Sequence, residues 1–116
     1  MSDFYGEIMG QPSITRTAAT FNTSGDNTIV AAPAAGYALV LFYLHVQNES
    51  TTGTTAVIKH GSTTVGRALL QAQGDMWFRE YECPVIMPAA TALVVNLSGA
   101  NSHNYTVEYT TIKLGN

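Results

Sequence analysis

Glu80 and Glu82 are the closest pair of acidic residues in the chain. Residues two apart on a strand point to the same side, so this pair has the chemistry of a glycosidase, one carboxyl group protonating a leaving group while the other assists attack. A solvated strand face carries the same pattern without any chemistry, and that is the simpler reading. His45, His60 and His103 offer imidazoles that could gather as metal ligands or meet around the axis of a homo-oligomer, where one residue per subunit becomes a ring. Read singly they are surface or packed histidines. Cys83 precedes Pro84 and has only Arg79 nearby to favour a thiolate, so it reads as a packing residue. The densest cluster is Trp77, Phe78, Arg79 and Tyr81, residue types that stack on sugar faces or anchor interfaces.

Larger motifs are missing. The chain has no G-x-S-x-G elbow, phosphate loop, H-E-x-x-H pair or dinucleotide fingerprint, so the motifs give no positive evidence for an enzyme, and no catalytic or metal-ligating set is assigned. Five Lys and Arg stand against eight Asp and Glu, a net charge of -3, which lacks the basic field that nucleic-acid backbones require. One cysteine closes no intramolecular disulfide and makes no zinc-site pair. The longest strongly apolar run, residues 37–46, is far short of the roughly 20 residues of a spanning helix, so no membrane partner is expected. Asp3 and Glu7 sit where a secretory leader needs basic residues, and no secretion signal is expected. Asn22, Asn48, Asn96 and Asn104 begin N-x-S/T sequons, which a chain with 15 Thr, 7 Ser and 7 Asn produces by composition alone.

Only 11% of the 116 residues are charged while 46% are hydrophobic. Neutral polar side chains must therefore cover a single domain. Thr, Val, Ile and Tyr fall in short segments separated by Gly, Asn, Ser and Pro, the pattern of strands and turns. Strands are predicted over 14–21 and 28–32, with the intervening cluster at 22–27 as a turn. The longest follows at 37–47, with Leu39, Leu41 and Tyr43 on one face and Val40, Phe42 and Leu44 on the other. Tyr37 and Tyr43 read as core residues. A strand apolar on both faces is either covered on both or lies at a subunit interface.

Segments 55–60 and 63–70 form a hairpin around Gly61-Ser62, a pair suited to a type II′ turn. Segment 76–82 carries the single Trp, and the proline-fenced stretch 83–88 belongs at an edge or in a connection. Strands 91–97 and 103–114 complete the set; Tyr105, Val107 and Tyr109 share a face, while Ile112 and Leu114 have the opposite parity, which predicts a bulge near 110–111 or a change of environment. Seven to eight strands in about a hundred residues make an all-β, single-domain antiparallel β-sandwich, jelly-roll-like. Residues 1–13 stand apart as an extended arm with apolar Phe4, Tyr5, Ile8 and Met9, and residues 14–116 form the sandwich.

The order of segments over residues 14–112 resembles small virion proteins of tailed bacteriophages. The resemblance rests on the stretch Ser24-Gly25-Asp26-Asn27-Thr28-Ile29-Val30, the Pro33-Ala34-Ala35-Gly36 break, Tyr37-Ala38-Leu39-Val40-Leu41, the hairpin through Ala56-Val57-Ile58-Lys59-His60-Gly61-Ser62, and Pro84-Val85-Ile86-Met87-Pro88. It implies a jelly-roll capsid decoration (cement) protein, trimeric, bound to the major capsid protein on the virion surface, with no enzyme activity and no cofactor. On that reading Phe4, Tyr5, Ile8 and Met9 bind the capsid, and Val40, Phe42, Leu44, Trp77 and Tyr81 form the oligomer interface. The alternative is a carbohydrate- or receptor-binding jelly roll of a tail tip or fibre, with Trp77 and Tyr81 as the stacking platform.

Overall fold

The computed structural model describes residues 13–115. Phe4, Tyr5, Ile8 and Met9, expected from the sequence to bind a capsid, lie outside these described residues. Eight strands follow in chain order: β1 (Thr15–Phe21), β2 (Gly25–Val30), β3 (Tyr37–Asn48), β4 (Thr54–His60), β5 (Thr63–Leu70), β6 (Met76–Ile86), β7 (Leu93–Leu97) and β8 (His103–Lys113). They make two four-stranded sheets, ordered β1-β8-β3-β6 and β2-β7-β4-β5. The antiparallel pairs β1/β8, β2/β7, β3/β6 and β4/β5 describe one long ribbon, doubled at the β4–β5 turn and rolled into a sandwich. That is the jelly roll.

The tip of the ribbon is set by local chemistry. Gly61 has φ 64 while Ser62 is not among the residues with positive φ, which is the II′ geometry and needs a residue without Cβ at its first position. At the other end of the chain's path, Asn48 is fully buried and its side chain does the work of a loop-wide clamp. Its Nδ2 donates to the carbonyls of Thr52 and Leu70, both at 2.9 Å, and its Oδ1 accepts from the Ser50 amide at 2.8 Å. The Asn48 sequon is thereby ruled out as a glycan acceptor, since its amide nitrogen is buried and doubly engaged.

The core lies between the sheets and is aliphatic: Leu39, Leu41, Leu44 and Val46 from β3, Ala56 and Ile58 from β4, Leu93, Val95 and Leu97 from β7, and Val107 from β8. Each fully buried large aliphatic side chain contributes about 1.5–3 kcal/mol.

Strict alternation along β3 would send Tyr43, His45 and Gln47 into this core and leave Leu44 and Val46 in solvent. One extra residue reverses that outcome. The register of β3 slips between Leu41 and Tyr43 against both of its neighbours, so Phe42 sits in a bulge and the faces exchange beyond it. Leu44 is therefore a core residue with no exposed surface, which corrects its placement beside Val40 and Phe42 at an interface. Tyr43 moves the other way, onto the outer face opposite Glu80 and Glu108, and Tyr37 is 38% exposed at the start of β3; neither is the core residue expected.

The bulge is in β3 rather than β8, and β8 pairs with β1 without a register shift. Its Ile112 lies on the outer face, so the change of environment is the true explanation of its parity. Two boundaries also move. β2 begins at Gly25, inside the expected turn, because Asp26 joins a cross-strand set: Asn96 donates to it at 2.8 Å and the Lys59 Nζ lies at 3.1 Å. β6 runs on through Pro84 to Ile86, which its place at the free edge of the sheet permits.

Candidate functional site

The two outer faces of the sandwich differ in chemistry. On the β2-β7-β4-β5 sheet the outward residues include the ion pair of Lys59 with Asp26 and the Asn96 amide beside it. Those contacts, Asn96 first and Lys59 second, hold the Asp26 carboxyl below its ordinary value. The opposite face, on β1-β8-β3-β6, carries an apolar groove of about 320 Å³ lined by Ile14, Val40, Phe42, Pro84, Ile86, Thr110 and Ile112. Every strand of the sheet contributes to it, or in the case of β1 the residue just before the strand. The Thr110 hydroxyl donates to the Ser13 carbonyl at 2.9 Å, fixing the chain where it enters β1 at the rim. Ile14 is 51% and Ile86 59% exposed, an arrangement a lone β-sandwich in water gains nothing by keeping.

Further along β6 on the same face, Met76 and Phe78 are 52% and 59% exposed, opposite Gln47 and His45. Partial burial pushes the His45 imidazole below its ordinary value. Val40 and Phe42 thus stand where the sequence expected an apolar outer face, in the company of Ile14, Ile86 and Ile112, which the sequence reading passed over. The signal was available in the proline-fenced segment and in the odd parity of Ile112.

Trp77 and Tyr81 do not share that face. They turn inward from β6 and pack against the core, at the side of the sandwich where the edge strands β5 and β6 leave a cleft of about 220 Å³ lined by His60, Val65, Trp77, Arg79, Tyr81 and Val85. The Arg79 guanidinium carbon lies 5.8 Å from the centre of the Tyr81 ring, a cation–π arrangement. Burial raises the Tyr81 phenol above its ordinary value, with the Arg79 charge pulling the other way. The Nε2 atom of His60 is buried and has no hydrogen-bond partner among the described residues, and burial lowers its imidazole pKa.

The other candidate residues scatter. Glu80 and Glu82 are both exposed on β6. His45 lies on the outer sheet face, His60 in the cleft and His103 at the buried start of β8, where its Nδ1 donates to the Asn101 carbonyl at 2.8 Å and its ring packs 5.7 Å from that of Phe21. Among the described residues no three His, Cys, Asp or Glu side chains form a metal-binding group. Cys83 is exposed rather than packed, because the register of β6 is lost between Glu80 and Val85 and the intervening residues bow away from the core.

No family model and no curated protein matches the chain. Among solved structures, a subunit from the Bacillus endospore appendages described as a novel family of disulfide-linked pili is similar, with TM-score 0.56 and 13% identity over 89% of this chain and 88% of that one. PirA gives TM-score 0.47 at 13% identity, covering 82% of this chain and 93% of its own, and the tobacco streak virus coat protein gives 0.32 at 11% identity, covering 82% and 85%. At such identities the likeness to the appendage subunit is one of fold, a β-sandwich shared by chains of nearly equal length.

Proposed function

We propose that the protein is a structural subunit of an ordered surface, and in its narrower form a trimeric decoration (cement) protein of a tailed-phage capsid, bound to the major capsid protein. The observation that carries the reading is the apolar outer face of the β1-β8-β3-β6 sheet, with its groove at one end and Met76 and Phe78 at the other. Two distinct apolar patches on one chain suit a closed ring of identical subunits, in which the patch of one enters the groove of the next. Phe78, 59% exposed, supplies the projecting side chain; Val40 and Phe42 supply the floor that receives it. A fold shared with a pilus protein is in keeping with an assembling protein, and the resemblance to phage virion proteins favours the virion surface. Residues 2–12, with Phe4, Tyr5, Ile8 and Met9, are assigned to the capsid contact, where many identical sites let modest contacts sum.

The test is the solution mass by light scattering, in reductant because Cys83 is exposed. A mass three times 12.4 kDa in the parent, falling to a monomer in both Phe42→Asp and Phe78→Ser, supports the ring. A parent monomer removes it. Deleting residues 2–12 is expected to leave the mass unchanged while abolishing binding to undecorated capsids, and unaltered capsid binding would remove the arm from the contact.

A further inference from the structure

We propose that the cleft between β5 and β6 is a binding site for a single pyranose bearing a carboxylate, such as a uronic or sialic acid residue at the end of a glycan. This site is separate from the apolar sheet face and does not depend on the assembly role. Three features of the cleft converge on that ligand class.

The cleft holds about 220 Å³, room for one sugar ring and not for a drug-sized ligand. Its walls include Trp77 and Tyr81, and a pyranose presents C–H faces that lie against such rings. The His60 ring adds a third wall, although its Nε2 is buried and is not offered to a ligand. Arg79 is exposed on β6, and the salt bridges among the described residues are Arg16–Glu108 and Lys59–Asp26. Among the described residues its charge thus has no carboxylate partner; it is held near the cleft over Tyr81, and guanidinium favours a carboxylate in a two-point contact. A neutral sugar leaves that charge unused, and a phosphate group alone leaves the aromatic walls unused.

Trp77 is the only tryptophan of the chain, so its fluorescence reports the cleft directly. Titration of the full-length protein with sodium D-glucuronate and with N-acetylneuraminic acid, against D-glucose at matched ionic strength, is expected to give saturable change with at least one acidic sugar. A Kd on the order of 1 mM is the scale for so small a ligand. Arg79→Gln, at an exposed position that leaves the fold intact, is expected to weaken the acidic sugar about tenfold and leave D-glucose unaffected. Backbone amide shifts in NMR spectra confined to residues of the cleft give a second readout that does not need the indole. Absence of saturation with both acidic sugars overturns the site, and binding that is undiminished in Arg79→Gln or equal for D-glucose overturns the assignment to an acidic sugar.

Discussion

Trp77 of one sheet lies directly over Gly66 of the other: a Cβ on residue 66 would stand 3.4 Å from the Trp77 Cζ2. That is ordinary van der Waals contact, and it is the point at which the two free edges β5 and β6 come together. Gly66→Ala is expected to be tolerated, with Trp77 emission unchanged. Gly66→Leu overfills the contact and is expected to cost about 1–3 kcal/mol and to shift the emission toward that of exposed indole, measured together by denaturant titration.

The bulge at Phe42 makes opposite predictions for two residues that simple counting puts on one sheet face, since Ile86 pairs with Val40 and Leu44 has the parity of Val40. Leu44→Ala removes a side chain with no exposed surface and is expected to cost about 2–5 kcal/mol at any protein concentration. Ile86→Ser, at a position 59% exposed, is expected to change the stability of the folded chain by only about 0.5 kcal/mol while lowering the mass seen by light scattering. Equal unfolding midpoints for the two variants would contradict the register described for β3.

The Asn48 side chain makes three hydrogen bonds, to backbone groups of Ser50, Thr52 and Leu70. Asn48→Ala strands these partners in a buried setting, and the expected loss is about 1–3 kcal/mol. Asn48→Asp is expected to fare no better, because a carboxylate offers no N–H to the carbonyls of Thr52 and Leu70. Thermal melts of the two variants and the parent decide the matter.

Acid is expected to weaken the fold in two stages. Burial keeps the imidazoles of His45 and His60 below 6.5 in the folded chain, so the unfolded chain takes up more protons as pH falls through 6.5 and stability drops from there down to the folded values. At lower pH the carboxyls of Asp26 and Glu49 act in the same direction. Asn96 and Lys59 hold the first below 3.8, and Asn104 and Ser102 hold the second below 4.5; their contribution, present above those values, is lost as pH falls through the folded ones. Melting temperatures between pH 7 and 5 are expected to decline in the parent and to flatten in a His45→Gln, His60→Gln double variant. A parent profile as flat as the variant's would mean that neither imidazole is held neutral by burial.

The sheet class and most strand positions were legible because the relevant signals are local. Gly61-Ser62 dictates a hairpin by its own backbone preferences, and Tyr105, Val107 and Tyr109 alternate as a half-buried strand must. The face assignment of β3 was not legible by counting from Leu39, since a one-residue slip inverts every side chain beyond it. The clue was chemical: His45 and Gln47 shared the parity that counting from Leu39 sent into the core. Cys83 misled for a related reason, because a register loss opposite Phe42 depends on a partner strand that is distant in sequence. The apolar groove assembles Ile14, Phe42, Ile86 and Ile112 from four separate segments, so no single stretch of sequence advertises it. The same holds for the cleft, which brings His60 to Trp77 and Tyr81 across the gap between two sheets.

Pairing the first strand with the last, Thr15 opposite Tyr109 and Phe21 opposite His103, gives the molecule an order of events in time. The β4–β5 hairpin closes over two turn residues, whereas β1 must find a partner nearly the whole chain away, and contacts of such sequence separation form slowly. The ribbon is thus expected to zip from its tip, with β1 seated last and released first. The residue that leads into β1, Ile14, also lines the groove, so a newly made chain completes the groove only when the rest of the sandwich is already in place. Stopped-flow refolding followed by hydrogen exchange would show the β1 amides protected after those of β4 and β5.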